Sequence, residues 1–553
     1  MKKNEILFFL FFSLPIFVFA QAPDTVIVPT TINEEPRDAL AYFILGDTTA
    51  SGQRNNPNRV YKLQRGQIYY LTGARAYNFN LTLIGDGNES LRPPVIAPMF
   101  LQDGSVPDIT MSVNGNTYVR NIYFTAFTPT QQRNAASGCR ALALGTTAAS
   151  ARGRLVVEKC IFEGFRSGAV SLRPPNSTII MKDNIVRNFA RDRIEFAASF
   201  LFVGASTPID TIIMTNNTYF NGNNYFLCTN RNPNNYVRVE HNTVYINNVN
   251  PFFSFHLCNA DIKNNLFIAT ASWAEKLSER IAENYDSQGQ KLSVISLEHL
   301  PSNYGITDDQ RRVVLKNNAY WWPDRIKNLW ATHSDSIFAP VWINDRTDSI
   351  FTNKTRYPRM VKENNLDLNP GFTDNSVVTL LDSLYEHLYM LRIDPGRSVG
   401  KLFLYKWEFP CPWPLPEKFT YTNTTLLAGG DDGLPVGDLN WYPDKKKEWE
   451  QKYETIGIDD GKIAIPTEFK LEQNYPNPFN PNTMISFHVP KKANVSLKIY
   501  DILGREVSTL VNQVMEVGEH KVNFNANNLT TGVYFYLMKC DNFVSVKKMM
   551  LLK

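Results

Sequence analysis

Seven short segments in the middle of the chain follow one template: an apolar-rich strand, a polar pair, then a second short strand. They are TYVRNIY (117–123), LVVEKCIF (155–162), IIMKDNIV (179–186), IIMTNNTY (212–219), VRVEHNTV (237–244), ADIKNNLF (260–267) and VVLKNNAY (313–320). One position is Asn in six of the seven, at Asn121, Asn184, Asn217, Asn242, Asn265 and Asn318, and Cys160 fills it in the other. The spacings are 39, 24, 33, 25, 23 and 53 residues. A repeat of this period means stacked supersecondary units rather than a folded-once globule.

The physics of the repeated position is specific. A strand bends sharply within one or two residues only if one of them tolerates left-handed dihedrals, and Asn does so at low cost. Stacked Asn side chains can also hydrogen-bond from coil to coil. The pattern therefore predicts an all-β chain whose main part is a right-handed parallel β-helix with an asparagine ladder. The short spacings match single coils and the long ones carry insertions. Third strands follow at 169–172, 200–203 and 252–255, often before Pro-bearing turns at 173–176, 206–208 and 231–234, where a residue without an N–H belongs. Roughly ten coils at about 4.8 Å would make a rod of about 50 Å. Upstream, LTLIGDG (81–87) resembles the opening coil of pectin-lyase-like β-helix proteins.

The N-terminus reads as an export signal. Lys2 and Lys3 precede an apolar run from Ile6 to Phe19, and Val18-Phe19-Ala20 gives the small-x-small end that signal peptidase reads, so residues 1–20 are expected to be removed. The run is too short to span a bilayer comfortably, and no transmembrane segment is expected after signal removal. A composition of 43% apolar and 20% charged residues excludes wholesale disorder. A net charge of +4 from 57 basic and 53 acidic residues is too even to suggest a nucleic-acid partner. Six cysteines in 553 residues exclude a disulfide-dense scaffold. Cys228 and Cys258 align as strand ends of adjacent coils and are expected to stack as two thiols. Cys139 and Cys160 fall at different corners and are not expected to pair.

The β-helix with its capping loops is expected over 21–450, with last coils and caps at 323–445 and an inserted helix at 272–285, where Trp273, Leu277 and Ile281 have helical spacing. Asp431, Asp432 and Asp438 are a calcium candidate, but they lack the spacing of a known loop. A turn cluster is the better expectation, with no metal site and no cofactor. A short charged helix leads into a linker at 451–465.

From 466 to 553 the strands are short, alternating and separated by turns, which gives a small antiparallel Ig-like sandwich. The runs YPNPFNP (475–481), IYDILGREV (499–507) and GVYFY (532–536), with Lys547 and Lys548 near the end, closely resemble the type A sorting domain of the type IX secretion system. Pro476, Asn477, Pro478, Gly504 and Gly532 belong to those motifs. The resemblance implies recognition by the type IX machinery, passage through the inner and outer membranes, and a cell-surface or extracellular product.

Catalytic chemistry is not legible. Lyases and hydrolases of this shape need acidic clusters on neighbouring coils. The groove-facing candidates here are Ala143, Ser171, Ser199 and Cys228. The best polar cluster is Arg187, Arg191, Asp192, Arg193 and Glu195 in one loop, with Arg173 and Arg231 in turns on nearby coils and His256 on a strand. Several guanidinium forks with one or two carboxylates could clamp an acidic sugar. The expected function is binding or processing of extracellular polysaccharide, as lyase or hydrolase if an enzyme. The alternative is a non-catalytic adhesin or surface-layer protein.

Overall fold

The structure is a computed structural model. It describes Asp24 to Leu552 except 52–53, 74, 135–138, 146–152, 190–198, 205–206, 223–224, 277–292, 335–336, 394–408, 410–411, 455–468, 475–476, 490–492, 516–517 and 541–542. Its contacts divide into two units, Asp24–Gly461 and a second containing Lys462–Lys553. The proposed signal peptide, Arg191, Asp192, Arg193, Glu195, Pro476 and Cys411 lie outside the described residues.

In the first unit every sequence repeat is one turn of a parallel β-helix. Three parallel sheets of eleven, ten and seven strands run along it, each strand pairing with its counterpart in the next coil. Side chains alternate across each strand, so every second position forms an inward column. In the first sheet that column is Leu83, Val119, Val157, Met181, Met214, Val239, Ile262 and Leu315, in register from coil to coil and buried. Phe124 and Phe162 stack in the second sheet with ring centroids 5.2 Å apart. Burial of such columns at about 25 cal/mol per Å² of apolar surface is the main stabilising term of the rod.

The turn between the first and second sheets divides the work that the sequence assigns to one residue. The left-handed residue in successive coils is Asn121, Lys159, Asp183, Asn216, His241, Asn264, Asn317 and Asn364, with φ between 50° and 60°. The ladder is formed by the next residue. Its rungs are Asn184, Asn217, Asn242, Asn265, Asn318 and Asn365. Asn121 is therefore not a rung. It is the bending residue, and Ile122 occupies the ladder position of its coil. At Cys160 the thiol reaches the Val119 carbonyl at 3.7 Å, the bond made by Nδ2 in the later coils.

The ends and outer faces are covered. The helix Ala39–Gly46 buries Leu40 and Ile44 in the core at the N-terminal end. Toward the other end lie the helices Asp324–Thr332, Asp345–Thr352 and Asn375–Arg392. The last puts Val377, Leu380, Leu381, Leu384 and Leu388 into the same core. Of the expected helix at 272–285, the described part is turn and a short strand, Glu275–Lys276. The rest lies outside the described residues.

The chain then returns along the outside of the second sheet. Phe419 packs against Phe220 and Tyr245 at 5.4 and 5.1 Å. Further on, the return strap meets the left-handed residues one coil after another, in reverse order. The Asn317 Nδ2 donates to the Gly429 carbonyl at 2.6 Å, and the Asn264 Nδ2 donates to Asp431 at 2.8 Å. His241 Nε2 lies 2.9 Å from Asp432. The Leu439 N–H donates to Asn216 at 3.3 Å, and Lys446, on the helix Pro443–Glu454, pairs with Asp183.

The second unit is a two-sheet antiparallel sandwich, one sheet of three strands and one of four. Ile485, Phe487 and Val489 from one face Val495, Leu497, Ile499, Tyr536 and Met538 from the other across a buried core.

Candidate functional site

The cationic residues singled out in the sequence have a partner that sequence reasoning missed. Beyond the last strand of the third sheet, Phe252–Ser254, the chain bends and carries His256. Arg231 sits in the turn before the first-sheet strand Asn234–Glu240. Glu298 joins them from the segment after the strand Ser293–Ile295. Arg231 grips Glu298 with both arms of its fork, at 2.8 and 2.8 Å, and its guanidinium lies 4.8 Å from the centre of the Phe255 ring. His256 Nε2 is 3.2 Å from Glu298, and Nδ1 is 2.8 Å from the Tyr304 hydroxyl. Arg346 closes the network at 3.8 Å. Beneath it the buried Arg311 donates to the carbonyls of Leu257, Glu298 and Phe255, and burial lowers its pKa to about 10.

Burial by itself would raise the Glu298 pKa. Hydrogen bonds from Arg231 and His256, and the charges of Arg231 and Arg346, overcome it and hold the group down at about 2. Such a carboxylate stays ionised, and its oxygens are already occupied. The network can brace an insertion against the coils. It offers no free fork to an acidic sugar. Arg173 is exposed in the turn after Gly168–Leu172 and is not part of it. Arg187 is fully buried between Glu163 and Glu417, at 3.5 and 3.4 Å.

The outward row of the third sheet is Ala76, Ser112, Ala143, Ser171, Phe202, Cys228 and Phe253, with no carboxylate or cation among them. Ser199 stands in another row, beside Gly168. Cys228 pairs in register with Phe253, so Cys228 and Cys258 do not stack: Cys258 belongs to the turn before Asn259–Lys263. All five described cysteines are free.

The aspartates of the return strap have protein partners. Asp431 accepts from Asn264 and Lys263, Asp432 pairs with His241, and Asp438 accepts from Thr218. Glu240, His241 and Asp432 bring one ligand atom each within 4.8 Å of one another. Arg238 and Lys263 already neutralise Glu240 there.

The open surface is elsewhere. The C-terminal mouth of the β-helix holds a cleft of about 500 Å³ lined by Tyr320, Trp342, Ile343, Asp345, Asp348, Lys362, Glu363, Asn364 and Asn365. Tyr320 is the last residue of the inward aromatic column of the second sheet, in register with Phe267. Trp342 stacks on it with centroids 4.8 Å apart and an interplanar angle of 2°. Lys362 pairs with Asp348, and Lys316 reaches Glu363 at 3.3 Å. Asp345, in the first turn of its helix, is exposed and without a partner among the described residues. The sequence signal for this site was the repetition of the Asn-Asn pair at Asn364 and Asn365, set in a stretch otherwise expected to be irregular.

In the second unit the residues 477–479 are tied to the last strand. The Met550 N–H donates to Asn477 Oδ1 at 2.8 Å, and Phe479 exchanges bonds with Met550 and Leu552 at 2.9 Å each. Gly504 has φ 78° in a turn whose N–H groups at Leu503 and Arg505 converge on Asp501, a conformation that requires glycine. Gly532 opens the strand Gly532–Cys540, where a Cβ would meet the Thr530 carbonyl at 4.0 Å, an ordinary contact. Lys547 and Lys548 lie on the edge strand Phe543–Leu551 opposite Tyr536 and Phe535. Residues 473–552 match the family model of the secretion system C-terminal sorting domain. The C-terminal domain is a type IX sorting domain. It directs the protein to the cell surface or the extracellular space through the type IX machinery. No curated protein matches the chain. Among the described residues no helix is long and apolar enough to cross a membrane.

Proposed function

We propose that the sorting domain delivers a β-helix that binds extracellular polysaccharide at its C-terminal mouth. The observation that carries this reading is the stacked Tyr320–Trp342 pair in a cleft edged by carboxylates and amides. A sugar ring has an apolar C–H face that packs on aromatic rings and a rim of hydroxyls that carboxylates and amides accept from and donate to. The cleft volume lies in the range of ordinary ligand sites. Delivery outside the cell places the cleft where glycans are. The two cleft carboxylates with lysine partners are neutralised in place and do not form a free acid–base pair, so binding is favoured over cleavage.

The test is titration of the full-length protein with a panel of neutral, acidic and amino-sugar polysaccharides, by calorimetry, while ultraviolet absorbance and reducing ends are followed. Saturable binding without product is expected, weakened about tenfold or more by Asp345→Ala. Trp342 is buried in the core, so Trp342→Ala should lower the melting temperature as well as the affinity. Asp345 is exposed, so its variant separates loss of binding from loss of fold. Release of unsaturated or reducing ends would make the protein an enzyme. Binding to no glycan would favour the adhesin or surface-layer alternative.

A further inference from the structure

The ladder has a direction, and its last rung is open. At every link between consecutive Asn rungs, the lower rung offers two donors, its backbone N–H and its Nδ2, to one side-chain oxygen of the rung above. The N–H distances are 3.0, 3.0, 2.9, 3.1 and 3.3 Å from Asn184 to Asn318, and the Nδ2 distances are 2.9 Å at all five links. The acceptor is always the sp² oxygen of a neutral amide. Asn365 is the sixth rung and has none above it. Its Nδ2 donates to the Leu315 and Glu363 carbonyls, as rungs below also do to their own neighbours, and its backbone N–H has no acceptor among the described residues. Asn365 lines the cleft at the mouth of the helix, together with Tyr320 and Trp342.

We infer that the cleft takes the acetamido group of an N-acetylated amino sugar. Its carbonyl oxygen would fill the place of a seventh rung's Oδ1, with the sugar ring against the half-buried Tyr320. The inference rests on the polysaccharide reading and narrows it. An amide oxygen is the group that five links of this fold already show the donor pair to hold. A carboxylate is the wrong ligand, because Lys362 and Lys316 are already paired with Asp348 and Glu363, and Asp345 stands in the lining without a cation beside it among the described residues. The acidic sugar suggested by the arginines of the sequence is therefore not the occupant of this cleft. A hydroxyl oxygen also has two lone pairs, but they are not in the plane of an sp² carbonyl, the geometry in which the five links hold their acceptor.

The test compares three trimers on the full-length protein: N-acetylglucosamine, glucosamine and glucose, all β-1,4-linked. The N-acetylated trimer is expected to bind about tenfold or more tighter than either other, the equivalent of one good hydrogen-bond pair. In amide-detected NMR the Asn365 backbone signal should move with the N-acetylated trimer and stay with the glucose trimer. Asn365→Asp keeps an oxygen for Asn318 to donate to and removes Nδ2. It should melt somewhat below the wild type, because Nδ2 also holds the Leu315 and Glu363 carbonyls, and lose the tenfold preference. If that variant does not fold, the wild-type Asn365 signal decides. Equal affinity for the three trimers, or an unmoved Asn365 signal on binding, would overturn the inference and leave the polysaccharide reading standing. Equal binding of an N-acetylated dipeptide would overturn it in favour of a peptide ligand. Failure to bind any glycan would remove both.

Discussion

Asn265 Oδ1 accepts two hydrogen bonds from one residue, Asn242, through its backbone N–H and its Nδ2, both at 2.9 Å. Asn242 in turn accepts the same pair from Asn217. A rung is thus four hydrogen bonds deep, in a site with no access to water. Replacing Asn242 by Leu leaves the donors of Asn217 unpaired. The loss of stability should be about 1–3 kcal/mol. Asn121 lacks this role, so Asn121→Gly, which keeps φ 56° accessible, should change stability by less than about 0.5 kcal/mol. Thermal melts of the two variants check the distinction, and equal losses would dissolve it.

The ladder also has an unused position. Cys160 already donates its N–H to Asn184 at 3.0 Å, and its thiol lies over the Val119 carbonyl. Cys160→Asn should extend the ladder by one rung and add about 0.5–1.5 kcal/mol. A drop in melting temperature would show that the cavity around the thiol does not admit an amide.

Glu298 gives a pH signature. Its folded value of about 2 lies below the ordinary 4.5, so its ionised form favours the folded state. That contribution is complete above the ordinary value and is lost as pH falls toward 2. Glu298→Gln should cost about 2–3 kcal/mol at pH 7, with the gap to wild type closing between pH 4.5 and pH 2. Urea titrations across that range measure it, and parallel curves would mean that the ion network adds nothing.

The buried thiols should be inert. Burial pushes Cys139, Cys160 and Cys228 up to about 12. An alkylating reagent at pH 8 should leave all three unmodified in the native protein and modify them in denaturant. Peptide mapping reads the result. Native modification of Cys228 would show that its outward row is open.

Deleting 466–553 should stop export at the periplasm and leave the β-helix folded, because the two units have separate cores. Cell fractionation and circular dichroism check the two halves of that statement. Surface display of the truncated protein would contradict the sorting role.

The repeat carried the coil architecture in plain sight because Asn at a fixed place is needed for a physical reason in every coil. It did not separate the two jobs of the turn. In four of the coils both residues are Asn, and in a fifth Asp183 precedes Asn184, so Asn216–Asn217 and Asn264–Asn265 look alike in one dimension. Asn121 reads as a rung in the sequence because its own coil has only one Asn. Asn365 was missed because the strand before it is short and charged, Val361–Glu363, without the apolar run of the others. The helix Asn375–Arg392 had a visible signal, with Val377, Leu380, Leu381, Leu384 and Leu388 at helical spacing. Glu298 had none. Its meeting with Arg231, 67 positions away, is made by an insertion whose path no local pattern dictates.

A solenoid that touches only its neighbours can fray from either end, coil by coil, like a stack of coins. The strap from Gly429 to Lys446 changes that behaviour. It fastens to Asn317, Asn264, His241, Asn216 and Asp183, one in each of five consecutive coils, so none of these coils can peel away without tearing a segment that also grips the others. Opening becomes all-or-none across that span. The tie is also among the last parts of the first unit to leave the ribosome, so those coils acquire their shared lock only after their own sequence is complete. A coil can therefore form early and stay yielding, and the rod stiffens when its final stretch of chain arrives.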